Sequence, residues 1–210
     1  MVLHSRGAEI LEETTDCDNQ IYFLVGSSDP TVRSSGGQSR KRWKTLMLHI
    51  FSAFQVRKAF PDFGLSFARN VQGIYIEMNE AFARGDREAL DELVTDTMLT
   101  KLNPDLKAAS NLGRYEWKAH GELSRPRILT IAAAKVQMEK GGEEHKLVQI
   151  TVEVNVKQSV ALYDRKNALI GGNPNDIKNI TEYIVVQRSI GKEGDERGWQ
   201  IAGKITAPSS

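Results

Sequence analysis

The sequence is poor in cysteine and has no long hydrophobic run. A single cysteine, Cys17, stands among 210 residues, so an internal disulfide framework is excluded and a reducing compartment is favoured. No stretch approaches the roughly 20 consecutive apolar residues that a membrane-spanning helix needs. The sequence therefore predicts a chain that is not stapled by disulfides and does not cross a bilayer by itself.

Residues with catalytic or metal-binding potential are also scarce. The four histidines (His4, His49, His120 and His145) have no metal-ligand spacing, and the chain contains no G-x-S-x-G, no H-E-x-x-H and no phosphate-cradling glycine loop. Tyr115 and His120 could point inward from a first strand, and we expect a core tyrosine and a partly buried histidine there. We predict no metal, no cofactor and no enzymatic activity.

Positive charge is concentrated in one segment, although the formal net charge is only +1. No carboxylate occurs between Asp29 and Asp62, and the cations in that interval are Arg33, Arg40, Lys41, Arg42, Lys44, Arg57 and Lys58. A local excess of cations favours an anionic neighbour. Lipid headgroups and ribosomal RNA phosphates both meet that requirement, and the sequence does not separate them.

The N-terminal quarter divides into an arm and a helix. Residues 1–39 have no sustained periodicity and end in a Ser/Gly-rich run, so we predict a mobile arm, whose acidic residues are atypical of an organelle transit peptide. Residues 40–60 are predicted to form a basic amphipathic helix that Pro61 stops. Its apolar stripe, at helical spacing, comprises Trp43, Leu46, Met47, Ile50, Phe51 and Phe54. The stripe either packs on the domain or enters the acyl boundary of a membrane.

Two more helices are predicted downstream. The first carries Phe67, Val71, Ile74, Tyr75, Met78 and Phe82 on one face and ends at Gly85. The second is capped by Asp86, runs to about Leu102 and is closed by Pro104. The tight Gly-Asp connection predicts an antiparallel helical hairpin.

The apolar period then changes from helical to alternating. Even-numbered positions from Val148 to Val156 are all aliphatic and odd-numbered ones are polar, which predicts a long half-buried strand with Glu153 and Lys157 on its polar face. Further strands are predicted at 114–122, 127–138, 181–190 and 198–206, with a bend at Arg125-Pro126 and a turn at Gly171–Pro174. Helices followed by a strand meander predict an α+β fold, with the helical hairpin packed on a curved antiparallel sheet in a conical, nuclear-transport-factor-like arrangement.

Several residues of the C-terminal half match the spacing of a known family. They are Gln158, the block Ala161 to Arg165 with Tyr163 and Asp164 at its centre, Gly171, Glu182, Tyr183 and Trp199, with Tyr115-Glu116-Trp117 upstream. With these residues, positions 61–208 resemble the Tim44-like domain of the mitochondrial large-ribosomal-subunit proteins that include the inner-membrane ribosome receptor. The chain departs from animal members at Lys166-Asn167, where an aromatic residue and a glycine are usual.

The resemblance implies a function that the residues alone do not give. A member would be a non-enzymatic protein on the matrix side of the mitochondrial inner membrane, bound to the large ribosomal subunit near the polypeptide exit. It would anchor the ribosome to the membrane and align the exit with the membrane insertase. In that setting Arg40, Lys41, Arg42, Lys44, Arg57 and Lys58 would meet rRNA or lipid phosphate, and Trp43, Leu46, Ile50, Phe51 and Phe54 would meet the bilayer or the core.

Two other functions stay open at this point. The resemblance extends to the import-motor tether of the inner-membrane presequence translocase, which shares the fold. A conical sheet also encloses a pocket in some enzymes and carriers, and a convergent carboxylate and tyrosine there would favour a small-molecule function. The apolar face of the long strand instead favours a dry pocket and no small-molecule substrate.

Overall fold

A computed structural model describes residues 53–54, 56–60, 63–64, 66–122, 124–137, 144–190 and 197–205. The predicted N-terminal arm and the greater part of the predicted basic helix lie outside the described residues. Among the predicted site residues, this applies to Arg40, Lys41, Arg42, Trp43, Lys44, Leu46, Ile50 and Phe51.

The first long helix, α1, spans Phe67–Arg84, as its apolar spacing predicted. It buries Phe67, Val71, Tyr75 and Met78, which recur every three or four residues and form one continuous stripe. Gly85 ends the helix in the left-handed region at φ 69°, where its N–H bonds back to the last turn. The residue without a Cβ therefore supplies the stop that the sequence indicated.

The prediction of a single helix after Asp86 is wrong, because the structure contains two helices in that stretch. Helix α2 spans Arg87–Leu93 and helix α3 spans Asp96–Leu112. Between them Val94 adopts an extended conformation and forms a parallel bridge with Ile201, while the Thr95 side chain accepts the Met98 N–H and starts the new helix. Docking of Val94 on the sheet thus outweighs local helix propensity.

The helical half does not end at Pro104, as predicted, but continues through it to Leu112. Proline removes one backbone hydrogen bond from a helix, and here the helix tolerates that loss at an exposed position. Gly113 makes the stop instead. Its φ is 146°, and a Cβ at this position would overlap the backbone around the Tyr163 carbonyl.

The strands form an antiparallel sheet and confirm the α+β class. They are β1 (Gly113–Glu122), β2 (Arg127–Gln137), β3 (Glu144–Asp164), β4 (Leu169–Ile190) and β5 (Gln200–Ile205). The order is β1-β3-β4-β5, and β1 and β2 occupy successive stretches of the same edge of β3. The chain bends between β1 and β2, at the predicted Arg125-Pro126 site.

The fourth strand is longer than predicted, since it begins at Leu169 and not near 181. Gly171–Pro174 is therefore not the turn between strands but lies inside β4, where 171–173 are opposite Val160–Leu162. The register moves from Val160↔Asn173 to Gln158↔Lys178, so four residues of β4, 174–177, bulge out opposite one residue of β3. The residues that favour a turn, Gly-Gly-Asn-Pro, therefore lead into a bulge, and the pairing of β3 with β4 resumes after it.

The helices cover one face of the sheet and bury its even-numbered β3 side chains. The core joins Phe67, Val71, Tyr75, Met78, Leu90, Trp117, Val148, Ile150, Val152, Val154, Ile184, Val186 and Ile201. Tyr115 belongs to this side, edge-on to Phe82 with ring centroids 5.7 Å apart, as expected. His120 does not, because it is exposed and pairs with Ser159 on the opposite face, at 2.8 Å between Nε2 and Oγ.

Candidate anionic-surface interface

Residues 53–60 attach to the domain through one side only. Val56 is fully buried and Phe60 nearly so. The Phe60 ring lies edge-on to Trp199 with centroids 5.1 Å apart, and Trp199 in turn lies edge-on to Phe67 at 5.0 Å. The Arg188 guanidinium sits 4.7 Å from the centre of the Phe60 ring. Three aromatic rings and a cation therefore hold this segment at the end of the sheet.

The other side of the same segment faces solvent. Phe54 is 68% exposed, and Arg57 and Lys58 are exposed with it. Residues three and four positions apart share a helical face, so both cations lie beside Phe54, whereas Val56 is about 200° around the helix. An apolar ring and two cations thus point away from the core. We call Phe54, Arg57 and Lys58 the helix face.

Two family-pattern residues, Gln158 and Glu182, point towards the helices. Gln158 Oε1 accepts from the Tyr75 hydroxyl at 3.4 Å, and Glu182 pairs with Lys204 at 3.4 Å. Lys204 Nζ also lies 5.3 Å from the Tyr75 ring centre. Burial, with the nearby Glu182 charge, raises the pKa of Tyr75 well above its ordinary value. Tyr75 therefore stays protonated at neutral pH and acts as a donor to the sheet.

Three more of the pattern residues build the hairpin between β3 and β4. The Asp164 carboxylate accepts the backbone N–H groups of Lys166 and Ala168, each at 2.8 Å, and Asn167 takes the left-handed conformation at φ 63°. Arg114 braces the turn, with its guanidinium 4.0 Å from the Tyr163 ring centre and Nη2 donating to Asn167 Oδ1 at 3.1 Å. Arg165 is left exposed at the tip.

The remaining pattern residues have structural contacts as well. Tyr183 lies opposite Glu153 on the outer face, where Arg127 Nη2 donates to both Glu153 carboxylate oxygens at 3.0 and 2.9 Å. The hydrogen bond from Arg127 lowers the pKa of Glu153 and raises that of Arg127. Trp199 is the central ring of the aromatic contact described above. These pattern residues therefore all lie in the described domain but do not converge on one site: Gln158, Tyr163, Asp164, Arg165, Glu182, Tyr183 and Trp199.

The Glu153 pair gives a testable pH dependence. A carboxyl group whose pKa is lowered by folding stabilises the fold above its unfolded pKa, about 4.3 for Glu, and loses that contribution as the pH falls through the lowered value. Glu153→Gln is expected to cost under about 1 kcal/mol at pH 7, because Arg127 is 69% exposed. Urea unfolding should show this difference shrinking towards pH 3, with Glu80→Gln as an exposed-pair control. An equal difference at both pH values would contradict the assignment.

The sequence reading missed the partners of these residues. No local motif marks Arg188, Lys204 or Arg114, because each meets its aromatic ring or carboxylate on a segment distant in sequence. The Asp164 turn had a signal, since Asp-x-x-Asn between two strands is typical of a tight turn. Among the described residues no cluster of metal ligands occurs, and no helix there is long and apolar enough to span a membrane.

The domain is of the α+β class, with helices α1 to α3 packed on one face of a five-stranded antiparallel sheet. The chain belongs to the Tim44-like domain family, which matches residues 53–206. The match therefore includes the segment 53–60, whose Val56 and Phe60 side chains are buried in the core.

The chain is also similar to proteins named large ribosomal subunit protein mL45. Identity to the Caenorhabditis elegans protein is 25% over 150 residues, covering 71% of this chain and 40% of the relative. For Bos taurus it is 23% over 172 residues (81% and 53%), and for Xenopus tropicalis 24% over 220 residues (98% and 68%). These findings confirm the resemblance read from the C-terminal residues. The chain spans about half or less of the length of the first two relatives.

Proposed function

We propose that this protein is a component or receptor of the mitochondrial large ribosomal subunit near the polypeptide exit, and that it anchors the ribosome to the inner membrane. It works on the matrix side, where its partners are rRNA, neighbouring ribosomal proteins, inner-membrane lipids and the membrane insertase. The role is non-enzymatic. Support comes from the similarity to mL45 proteins of several animals, whose name assigns them to the large ribosomal subunit.

The observation that carries the membrane contact is the orientation of residues 53–60. Val56 is 0% and Phe54 is 68% exposed, although they are two residues apart, so the rotation of the helix is fixed. At 100° per residue, Trp43, Met47, Ile50 and Phe51 fall within about 60° of Phe54 if the predicted helix continues towards the N-terminus. The apolar stripe then points away from the core, beside Arg57 and Lys58, and is available to a lipid surface.

The packing of the helix-facing side of the sheet supports the non-enzymatic role. The predicted pocket position is filled by Tyr75, Met78, Trp117 and the β3 aliphatic residues, all buried. A tyrosine and a carboxylate, Tyr75 and Glu182, do approach each other there. Burial raises the pKa of Tyr75, however, which makes this hydroxyl a poor proton donor or base at neutral pH. A small-molecule function therefore gains no support from this side.

The anchor predicts salt-dependent binding to anionic vesicles. Replacing Arg40, Lys41, Arg42, Lys44, Arg57 and Lys58 by glutamine is expected to lower affinity for cardiolipin-containing vesicles by about tenfold or more, since each cation near an anionic surface contributes about 1 kcal/mol. The dependence on salt should flatten in the same variant, and Phe54→Ser should weaken binding without changing that dependence. Flotation of the full chain with vesicles at several salt concentrations measures both effects.

A control variant replaces four exposed cations on the helices, Arg69, Arg87, Lys101 and Lys107, by glutamine. These changes should leave vesicle binding nearly intact. Equal binding of wild type and the six-cation variant at every salt concentration would contradict the membrane contact. Isolation of the protein with the import motor and without ribosomes would instead favour the import-tether alternative.

A further inference from the structure

A second basic surface lies on the opposite end of the sheet from the helix face. Strand β1 pairs with the C-terminal part of β3, and the side of this pair that faces away from the helices carries Arg114, Lys118, Lys157 and Tyr163. The pairs Arg114↔Tyr163 and Lys118↔Ser159 place these residues on one side. The hairpin tip adds two exposed cations, Arg165 and Lys166. We call Lys118, Lys157, Arg165 and Lys166 the hairpin face.

The carboxylates near this surface are already engaged. Glu116 pairs with Arg114 at 3.1 Å, Asp176 pairs with Lys178 at 3.6 Å, and Asp164 accepts two backbone N–H groups of the turn. Within the described part of the chain, the four cations of the hairpin face have no carboxylate partner. The four cations therefore outnumber the Asp164 carboxylate beside them, and the hairpin face is positively charged overall.

The surface is also preorganised. Asp164 fixes the turn by two side-chain contacts, Arg114 stacks on Tyr163 and bonds Asn167, and Gly172 lets β4 approach the Val160 carbonyl closely. Cations held on strands and on a fixed turn bind without the ordering cost that a mobile arm would have. Lys157 and Arg165 are eight residues apart, which corresponds to a strip about 25 Å long.

We propose that the hairpin face binds the phosphate backbone of RNA, whereas the helix face binds the membrane. A strip of strand-borne cations suits regularly spaced phosphates. On this surface Tyr163 is covered by Arg114, and Leu169, which lies opposite Tyr163, is 48% exposed. Four cations outnumber that apolar side chain, so the surface suits phosphate better than acyl chains. Along β3 the two ends, from Val148 beside Arg188 to Tyr163, are 15 residues and therefore about 50 Å apart. A domain with both ends engaged spans the gap between an RNA and a lipid surface.

The test compares the full chain with a variant carrying Lys118→Gln, Lys157→Gln, Arg165→Gln and Lys166→Gln. The probe is a fluorescently labelled RNA duplex of mixed sequence, titrated at several salt concentrations. The variant should bind about tenfold or more weakly at low salt, and the slope of log affinity against log salt should fall by about three to four, since each phosphate contact contributes roughly 0.9. The Arg69, Arg87, Lys101 and Lys107 variant, equal in charge, should bind as the wild type does.

The inference is overturned if the wild-type chain does not bind the duplex, if wild type and variant bind equally, or if the charge-matched control loses binding equally. Loss of vesicle binding with RNA binding retained would make the hairpin face a lipid surface, and this also overturns it. The inference depends on the proposed function in one respect, the identity of the RNA that is bound. If the wild type does not migrate with ribosomes yet binds the duplex through these four residues, the proposed function fails and the inference stands.

Discussion

Trp199→Ala is expected to destabilise the domain by about 3–5 kcal/mol, the usual range for removing a large buried aromatic side chain. The indole is 9% exposed and contacts Phe60 at 5.1 Å and Phe67 at 5.0 Å, so its loss opens a cavity where β5, α1 and residues 53–60 meet. Urea unfolding followed by far-UV circular dichroism measures the change.

The same substitution should also weaken vesicle binding, because the helix face is attached to the domain through Phe60. Phe54→Ala, in the same segment, is the control for stability: its side chain is 68% exposed, so the expected change is within about 0.5 kcal/mol. The packing described would be contradicted if the unfolding free energy of the Trp199 variant were within about 1 kcal/mol of the wild-type value, since truncation of a buried tryptophan normally costs more.

Gly172→Ala is expected to cost about 3 kcal/mol or more. The residue has φ 65°, and a Cβ there would overlap the Val160 carbonyl oxygen, which is backbone and cannot swing aside. Relief requires separation of β3 from β4 beside the hairpin, so RNA binding by the hairpin face should weaken together with stability. Thermal unfolding and the duplex titration measure the two effects.

Gly171→Ala is the neighbouring control. A Cβ at Gly171 would lie 3.7 Å from the Leu162 Cβ, an ordinary contact, and the expected change is within about 1 kcal/mol. Similar losses in the two alanine variants would mean that the strain at Gly172 is not the cause.

Local pattern was sufficient where one period governs a segment. The stripe of α1, its end at Gly85 and the aliphatic even positions of β3 were all predictable, because burial of one face fixes the spacing of apolar residues. The failures lie where distant contacts override local preference. Val94 leaves the helix to bridge Ile201, and residues 171–173 continue a ladder because Val160–Leu162 lie opposite them.

The candidate surfaces were predictable only in part. The sequence itself shows the cations and the apolar stripe at 40–58. The orientation of Phe54, however, depends on which side of the helix contacts Trp199 and Arg188, and both residues are far away in sequence. The hairpin face gave no signal, since Lys118 and Lys157 come from different strands and become neighbours of Arg165 only through sheet register.

We propose above all that the protein is bound to the large subunit of the mitochondrial ribosome. Sedimentation of the tagged full chain from detergent-solubilised mitochondria on sucrose gradients tests this, at low and high salt and with magnesium kept or chelated. We expect co-migration with the large subunit after chelation splits the ribosome. Migration at the top of every gradient, or with the import translocase, would contradict it.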